Sequence, residues 1–194
     1  MTNLVLICGP SAVGKSTVGL ELARLTGYPL LQHHETAIPV AKVHGSDGAR
    51  FEATVARVRT EILRAAVSAG LPGVITTFRW RFGSAADLAF VGGLRALCDA
   101  SRSRLAFVEL AASFRVRSAR EGSEPRVWMK PWLADVIAAR GALAALLHQP
   151  YAYNSNGGFP YPNDWLLSNT EEMTPAEVAQ RIIERFALPR RTAD

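Results

Sequence analysis

The stretch Gly9-Pro10-Ser11-Ala12-Val13-Gly14-Lys15-Ser16 decides how the rest of the chain is read, because it fills every position of the pattern G-x-x-x-x-G-K-[ST]. Each residue type in it has a physical task. Gly9 and Gly14 permit backbone torsions that turn successive N–H groups inward around a phosphate. A helix opening at Lys15 adds unpaired amides and the positive end of its dipole at the same point. The Lys15 ammonium is expected to reach the β- and γ-phosphates of a nucleotide, and the Ser16 hydroxyl to ligate Mg²⁺. The expected cradle comprises Gly9, Pro10, Ser11, Ala12, Val13, Gly14, Lys15, Ser16 and Thr17.

The flanks agree with that reading. Residues 4–8 are a short apolar run, too short for a helix, and read as a buried parallel strand. Beyond the loop, Val18, Leu22 and Leu25 recur at helical spacing until Gly27, a C′ stop. A second apolar stretch, 28–31, runs into a polar segment beginning His33-His34-Glu35. The spacing predicts a helix over 49–69 with Val55, Val58, Ile62, Ala66 and Val67 on one face, ended by Gly70. Strands are predicted at 73–78, 105–110 and 165–168. Helices are predicted over 84–100 behind Ser84, from Ser113, over 132–147, and from Thr174-Pro175 with Glu177 at N3. Strands alternating with helices imply right-handed crossovers and one α/β domain spanning 1–194.

With 194 residues, 48% hydrophobic and 20% charged, the chain is long enough to bury a core, which excludes disordered and disulfide-scaffold classes. No apolar run approaches the ~20 residues of a membrane span, and the N-terminus does not read as a signal peptide. Cys8 and Cys98 have no metal or CxxC spacing, so a reduced, cytoplasmic setting is expected. The net charge is +5, and only Lys15, Lys42 and Lys130 among the 22 basic residues are lysines. Arginine forks suit phosphate, while the lack of a basic run argues against a nucleic-acid partner.

On these residues the chain resembles the P-loop kinase group of small phosphotransferases, which includes shikimate, gluconate, chloramphenicol and nucleoside-monophosphate kinases. It is also similar to bacterial proteins labelled AAA-family ATPases or shikimate kinase-like. Those share the histidine-bearing turn after the second strand, Val108-Glu109-Leu110 before an arginine helix, and Tyr151-x-x-Asn154-Ser155-Asn156. The resemblance implies a three-layer P-loop NTPase fold with a five-stranded parallel sheet in order 2-3-1-4-5, an arginine-bearing lid, ATP and Mg²⁺ as cofactors, and an acceptor site beside the loop. GTPase and transporter-ATPase signatures are missing. At the end of the third strand, where such kinases carry a magnesium-orienting acid, Thr76-Thr77-Phe78 stands instead. Thr76 could hold a magnesium-bound water. Glu109 either supplies the missing charge or forms a structural ion pair with an arginine.

Phosphoryl transfer requires positioning, charge neutralisation and a group to take the acceptor's hydroxyl proton. His33, His34 and Glu35 follow the second strand at the same sheet edge as the loop; either His34 or Glu35 is the base, or Glu35 caps the next helix and the histidines pack or face solvent. Arg79 is expected to contact the acceptor by its fork, and Trp80 either stacks on the acceptor or seals the core. Arg117 and Arg120 share a helix face, and Arg120 with Arg126 are the expected closing cations of a lid over 121–131. The irregular segment 148–164 either forms a wall of the site or packs onto the domain, and Asn169-Thr170 matches the place where related kinases pass adenine. The expected activity is ATP- and Mg²⁺-dependent phosphorylation of a small hydroxylated metabolite. The alternatives are a nucleoside or nucleotide kinase, and an NTP-binding regulatory ATPase without an acceptor.

Overall fold

The computed structural model describes residues 1–123 and 135–191. The elements in chain order are β1 (Asn3–Cys8), α1 (Lys15–Thr26), β2 (Leu30–Leu31), α2 (His33–His44), α3 (Gly48–Ser68), β3 (Gly73–Phe78), α4 (Ala85–Ala100), β4 (Arg104–Ala111), α5 (Phe114–Arg120), α6 (Val136–Ala145), β5 (Trp165–Asn169) and α7 (Pro175–Phe186). The five strands form one parallel sheet in the order β2-β3-β1-β4-β5. The expected topology is therefore the observed one. The order reverses beside β1, so the loop after β1 lies at the carboxyl edge where open α/β sheets bind ligands.

Alternation along each strand splits the core in two. Val5, Ile7, Ile75 and Val108 face Val18 and Leu22 of α1 and Val178, Ile182 and Phe186 of α7. Leu4, Leu6, Val74 and Phe107 face Leu63 of α3 and Val91 and Leu94 of α4. Full burial of each such side chain is worth about 1.5–3 kcal/mol. The helix termini follow the sequence chemistry. Ser84 and Ser113 accept from Asp87 N and Val116 N, and Thr174 with Glu177 forms a capping box behind Pro175. Gly27 ends α1 at φ +73°.

Two elements differ from expectation. The polar segment after β2 is helical from His33, because the Glu35 carboxylate at N3 accepts from Gln32 N at 2.5 Å and closes the first turn. The helix tolerates Pro39 on its exposed side. In α3 the buried stripe runs Val55, Arg59, Leu63, Val67, while Val58 and Ile62 are 36% and 43% exposed. Both stripes start at Val55, and apolar counting chose the wrong one because Arg59 sits in the right one. Leu63→Ala is therefore expected to lower unfolding free energy by about 2–5 kcal/mol. Ile62→Ala, one residue away, should stay within about 0.5 kcal/mol in the same denaturant titration.

The irregular segment before β5 packs onto the sheet end. Phe159 is buried against Trp80, Phe107 and Trp165, with ring centroids 5.4, 5.4 and 5.2 Å away, and Phe82 N donates to Ala152 O at 2.8 Å. Of the two readings left open for 148–164, packing describes Phe159 and Tyr161. Among the described residues, no helix is long and apolar enough to cross a membrane.

Candidate active site

The loop between β1 and α1 carries three left-handed backbone positions, Gly9 at φ +136°, Ala12 at +61° and Gly14 at +104°. Gly9 is also a close approach: a Cβ there would sit 2.5 Å from Leu110 O. Ala12 holds a conformation that costs an L-residue about 1–2 kcal/mol, the kind of strain found at ligand clamps. Several side chains hold the loop's carbonyls. Lys15 Nζ donates to Gly9 O and Pro10 O at 2.7 Å each. Arg117 donates to Ser11 O at 3.3 Å, and Arg120 and Thr170 Oγ1 to Val13 O at 3.4 and 2.9 Å. Because N–H and C=O of a trans peptide point opposite ways, the arginines behind Ser11 O and Val13 O turn the Ala12 and Gly14 amides away from themselves. Gly14 caps α1 without a side chain, so the first amides of the helix are left for a ligand.

The loop forms one wall of a cleft of about 580 Å³. A second wall carries His33, His34, Ser46, Phe51, Thr77 and Arg79, and a third carries Arg120, Ser123, Thr170, Met173 and Pro175. His33 N donates to Thr77 Oγ1 at 2.9 Å, which joins the start of α2 to the end of β3. The Arg79 guanidinium lies 5.7 Å from the Tyr153 ring centre. Arg120 also donates to Thr170 O at 2.5 Å, tying α5 to the turn after β5. Cationic and hydroxyl side chains thus converge beside the loop. Among the described residues, no carboxylate lines this cleft and no group of His, Cys, Asp and Glu could hold a metal ion by itself.

The structure brings Lys15, Ser16, His34, Arg79 and Arg120 of the expected site together. Others lie elsewhere. Glu35 is exposed, caps α2 through Gln32 N, the other role open to it, and does not line the cleft. Of the two readings left open for Trp80, the core describes it: it is only 1% exposed and stacks on Phe82 at 4.7 Å, and alternation along the chain turns it inward while Arg79 lines the cleft. Arg81 is clamped by Asp87 and Glu52 at 2.6 Å each. Arg126, with most of the expected lid, lies outside the described residues.

Thr76 shares its face with Val74 and Phe78 and donates to Leu31 O at 3.0 Å, so the hydroxyl that lines the cleft is that of Thr77. Among the described residues Glu109 pairs with no arginine and does not line the cleft. It accepts from Asn154 Nδ2, Ser155 N, Ser155 Oγ and Trp165 Nε1 at 2.9, 2.7, 2.7 and 3.0 Å, binding the 148–164 segment to β4. Burial, reinforced by that carboxylate, pushes the neighbouring Cys8 thiol far up and keeps it protonated. Sequence reasoning missed Thr77, Ser46, Phe51 and Met173 as cleft-lining residues. Strand parity could have found Thr77; nothing local marks the rest.

No protein family and no curated protein sequence matches this chain. Solved structures do match in fold. A candidate kinase from Chloroflexus aurantiacus is 16% identical, with a TM-score of 0.66 over 95% of this chain and 98% of that one. The tunicamycin resistance protein of Deinococcus radiodurans is 14% identical, with a TM-score of 0.60 over the whole of both chains. A gluconokinase from Sinorhizobium meliloti is 16% identical, with a TM-score of 0.57 over 95% of this chain and 91% of that one. The fold is that of the P-loop small-molecule kinases.

Proposed function

We propose that this protein, acting as one domain, is an ATP- and Mg²⁺-dependent phosphotransferase for a small hydroxylated metabolite that carries an anionic group. One observation carries the reading: the loop residues Ser11 to Thr17 share a single cleft with His34 and Arg79, so a polyphosphate and a second molecule have adjoining places. The residues fit a nucleotide, since outward-held carbonyls, three left-handed positions and an uncapped helix start present amides to phosphate. Likeness in fold to a gluconokinase supports a kinase that acts on a small molecule.

The residues take these roles. The amides of the loop and Lys15 hold the β- and γ-phosphates, and the Ser16 hydroxyl holds Mg²⁺, which neutralises phosphate charge when bound. Arg120 stands beside the loop as a cation for the charge that develops during transfer. Arg79 binds the acceptor's anionic group. The acceptor hydroxyl oxygen bonds to the γ-phosphorus as the bond to the β–γ bridging oxygen breaks, the hydroxyl proton passes to His34, and ADP leaves. Both cysteines are buried free thiols, which suits a reducing compartment such as the cytoplasm.

ADP formation measured across sugar acids, cyclic hydroxy acids, nucleosides and aminoglycol antibiotics tests the reading, and a manyfold rise with one compound is expected. A nucleoside as that compound would make it a nucleoside kinase. Flat rates across the panel would favour a nucleotide-binding regulatory ATPase, the reading that the absence of a carboxylate among the described lining residues supports. His34→Gln is expected to lower kcat by roughly 10²–10⁴ with little change in the KM for ATP, and Glu35→Gln to leave kcat unchanged. The opposite pattern would reverse the assignment of the base.

A further inference from the structure

His33 opens α2 and lines the cleft, and Arg59 of α3 lies against it, only 1% exposed. Among the described residues, no carboxylate lies within ion-pair distance of Arg59. Its Nη2 donates to His33 Nδ1 at 2.7 Å, to His33 O at 3.3 Å and to Thr36 Oγ1 at 3.2 Å. Its charge lies 5.7 and 5.8 Å from the ring centres of Phe78 and Phe90. Burying a cation without a counter-charge is costly, and a leucine would serve the stripe of Val55, Leu63 and Val67 better if packing were the only demand.

The contact with His33 says what the arginine achieves there. A guanidinium has no lone pair to offer, so at 2.7 Å it is Nδ1 that accepts. Burial lowers the Arg59 pKa to about 10, which leaves it protonated and a donor at neutral pH. An imidazole whose Nδ1 accepts is neutral and carries its proton on Nε2. A doubly protonated ring would set N–H against N–H.

We propose that Arg59 is a positioning residue that holds His33 as the neutral Nε2–H tautomer. His33 thereby presents an N–H at Nε2 and no free lone pair, which makes it a hydrogen-bond donor and bars it from taking the acceptor's proton. Only the identity of the group that meets the donor rests on the kinase reading; the tautomer does not. It also separates the two adjacent histidines, His33 as donor and His34 as base.

The test is a long-range ¹H–¹⁵N correlation spectrum of the full-length protein with ¹⁵N-labelled histidine, without nucleotide, His33 being assigned by its loss in His33→Gln. The expected wild-type result at neutral pH is a single tautomer with a protonated Nε2 and a bare Nδ1. In Arg59→Met the His33 signals are expected to move to an average of both tautomers. A proton on Nδ1 in the wild type overturns the proposal, whether or not the variant folds, and so does an unchanged His33 spectrum in folded Arg59→Met. Flat ADP formation across the acceptor panel would instead overturn the kinase reading and leave this spectrum as it is.

Discussion

Lys15→Met is expected to lower nucleotide turnover by about 10²–10³, the cost of removing one well-placed charge from a developing anionic centre. The change in unfolding free energy should be small by comparison. Lys15 Nζ is 2.7 Å from Gly9 O and from Pro10 O, and its loss frees two carbonyls beside an open cleft, where water can replace it. A net hydrogen bond of this kind is worth about 1 kcal/mol. Turnover and thermal unfolding measured on the same preparation separate the two effects. Full turnover in a folded Lys15→Met protein would mean that the loop is not the site. Lys15→Arg should not rescue, because a planar fork cannot occupy the place of a compact ammonium.

Glu109→Ala should be the most destabilising single change in the sheet. The carboxylate is 1% exposed and takes four hydrogen bonds from the half-buried Asn154, Ser155 and Trp165, so its removal leaves the Ser155 and Trp165 donors without their acceptor, while Asn154 Nδ2 keeps Leu110 O. Breaking a buried charged network costs about 3–5 kcal/mol. In a chain of this size that is a fall in Tm of roughly 6–20 °C. Glu109→Gln keeps one acceptor oxygen and should fall between the two proteins. Because the same segment holds Tyr153 against Arg79, the loss also loosens one wall of the cleft, and acceptor KM should rise in the alanine variant. A thermal scan unchanged by Glu109→Ala would show that the segment is held by its aromatic residues alone.

The elements that sequence reading placed well are those whose cause is local. The loop is one contiguous stretch, the caps at Ser84, Ser113 and Thr174 act within three residues, and the strand order follows the resemblance. What the sequence left open depended on where a side chain points after packing. Trp80 and Arg79 are neighbours in sequence, yet one is core and the other lines the cleft. Glu35 has the right chemistry for a base and the right spacing for a cap, and the backbone of Gln32 claimed it. Arg59 lay outside the apolar face read for its helix, and it is the buried centre of the face that packs.

Sequence alone determined that this chain sets a glycine-bounded loop between strand and helix on a parallel α/β sheet, because glycine torsions, helix start and hydrophobic period are properties of short stretches read in order. Tertiary structure alone decided what surrounds the loop. His33 meets Arg59 across 26 residues, Glu109 meets Ser155 across 46, and Arg117 meets Ser11 across 106. Hydrogen-bond partners so far apart in the chain are chosen by which elements the sheet brings together, and no local pattern of residues records that choice.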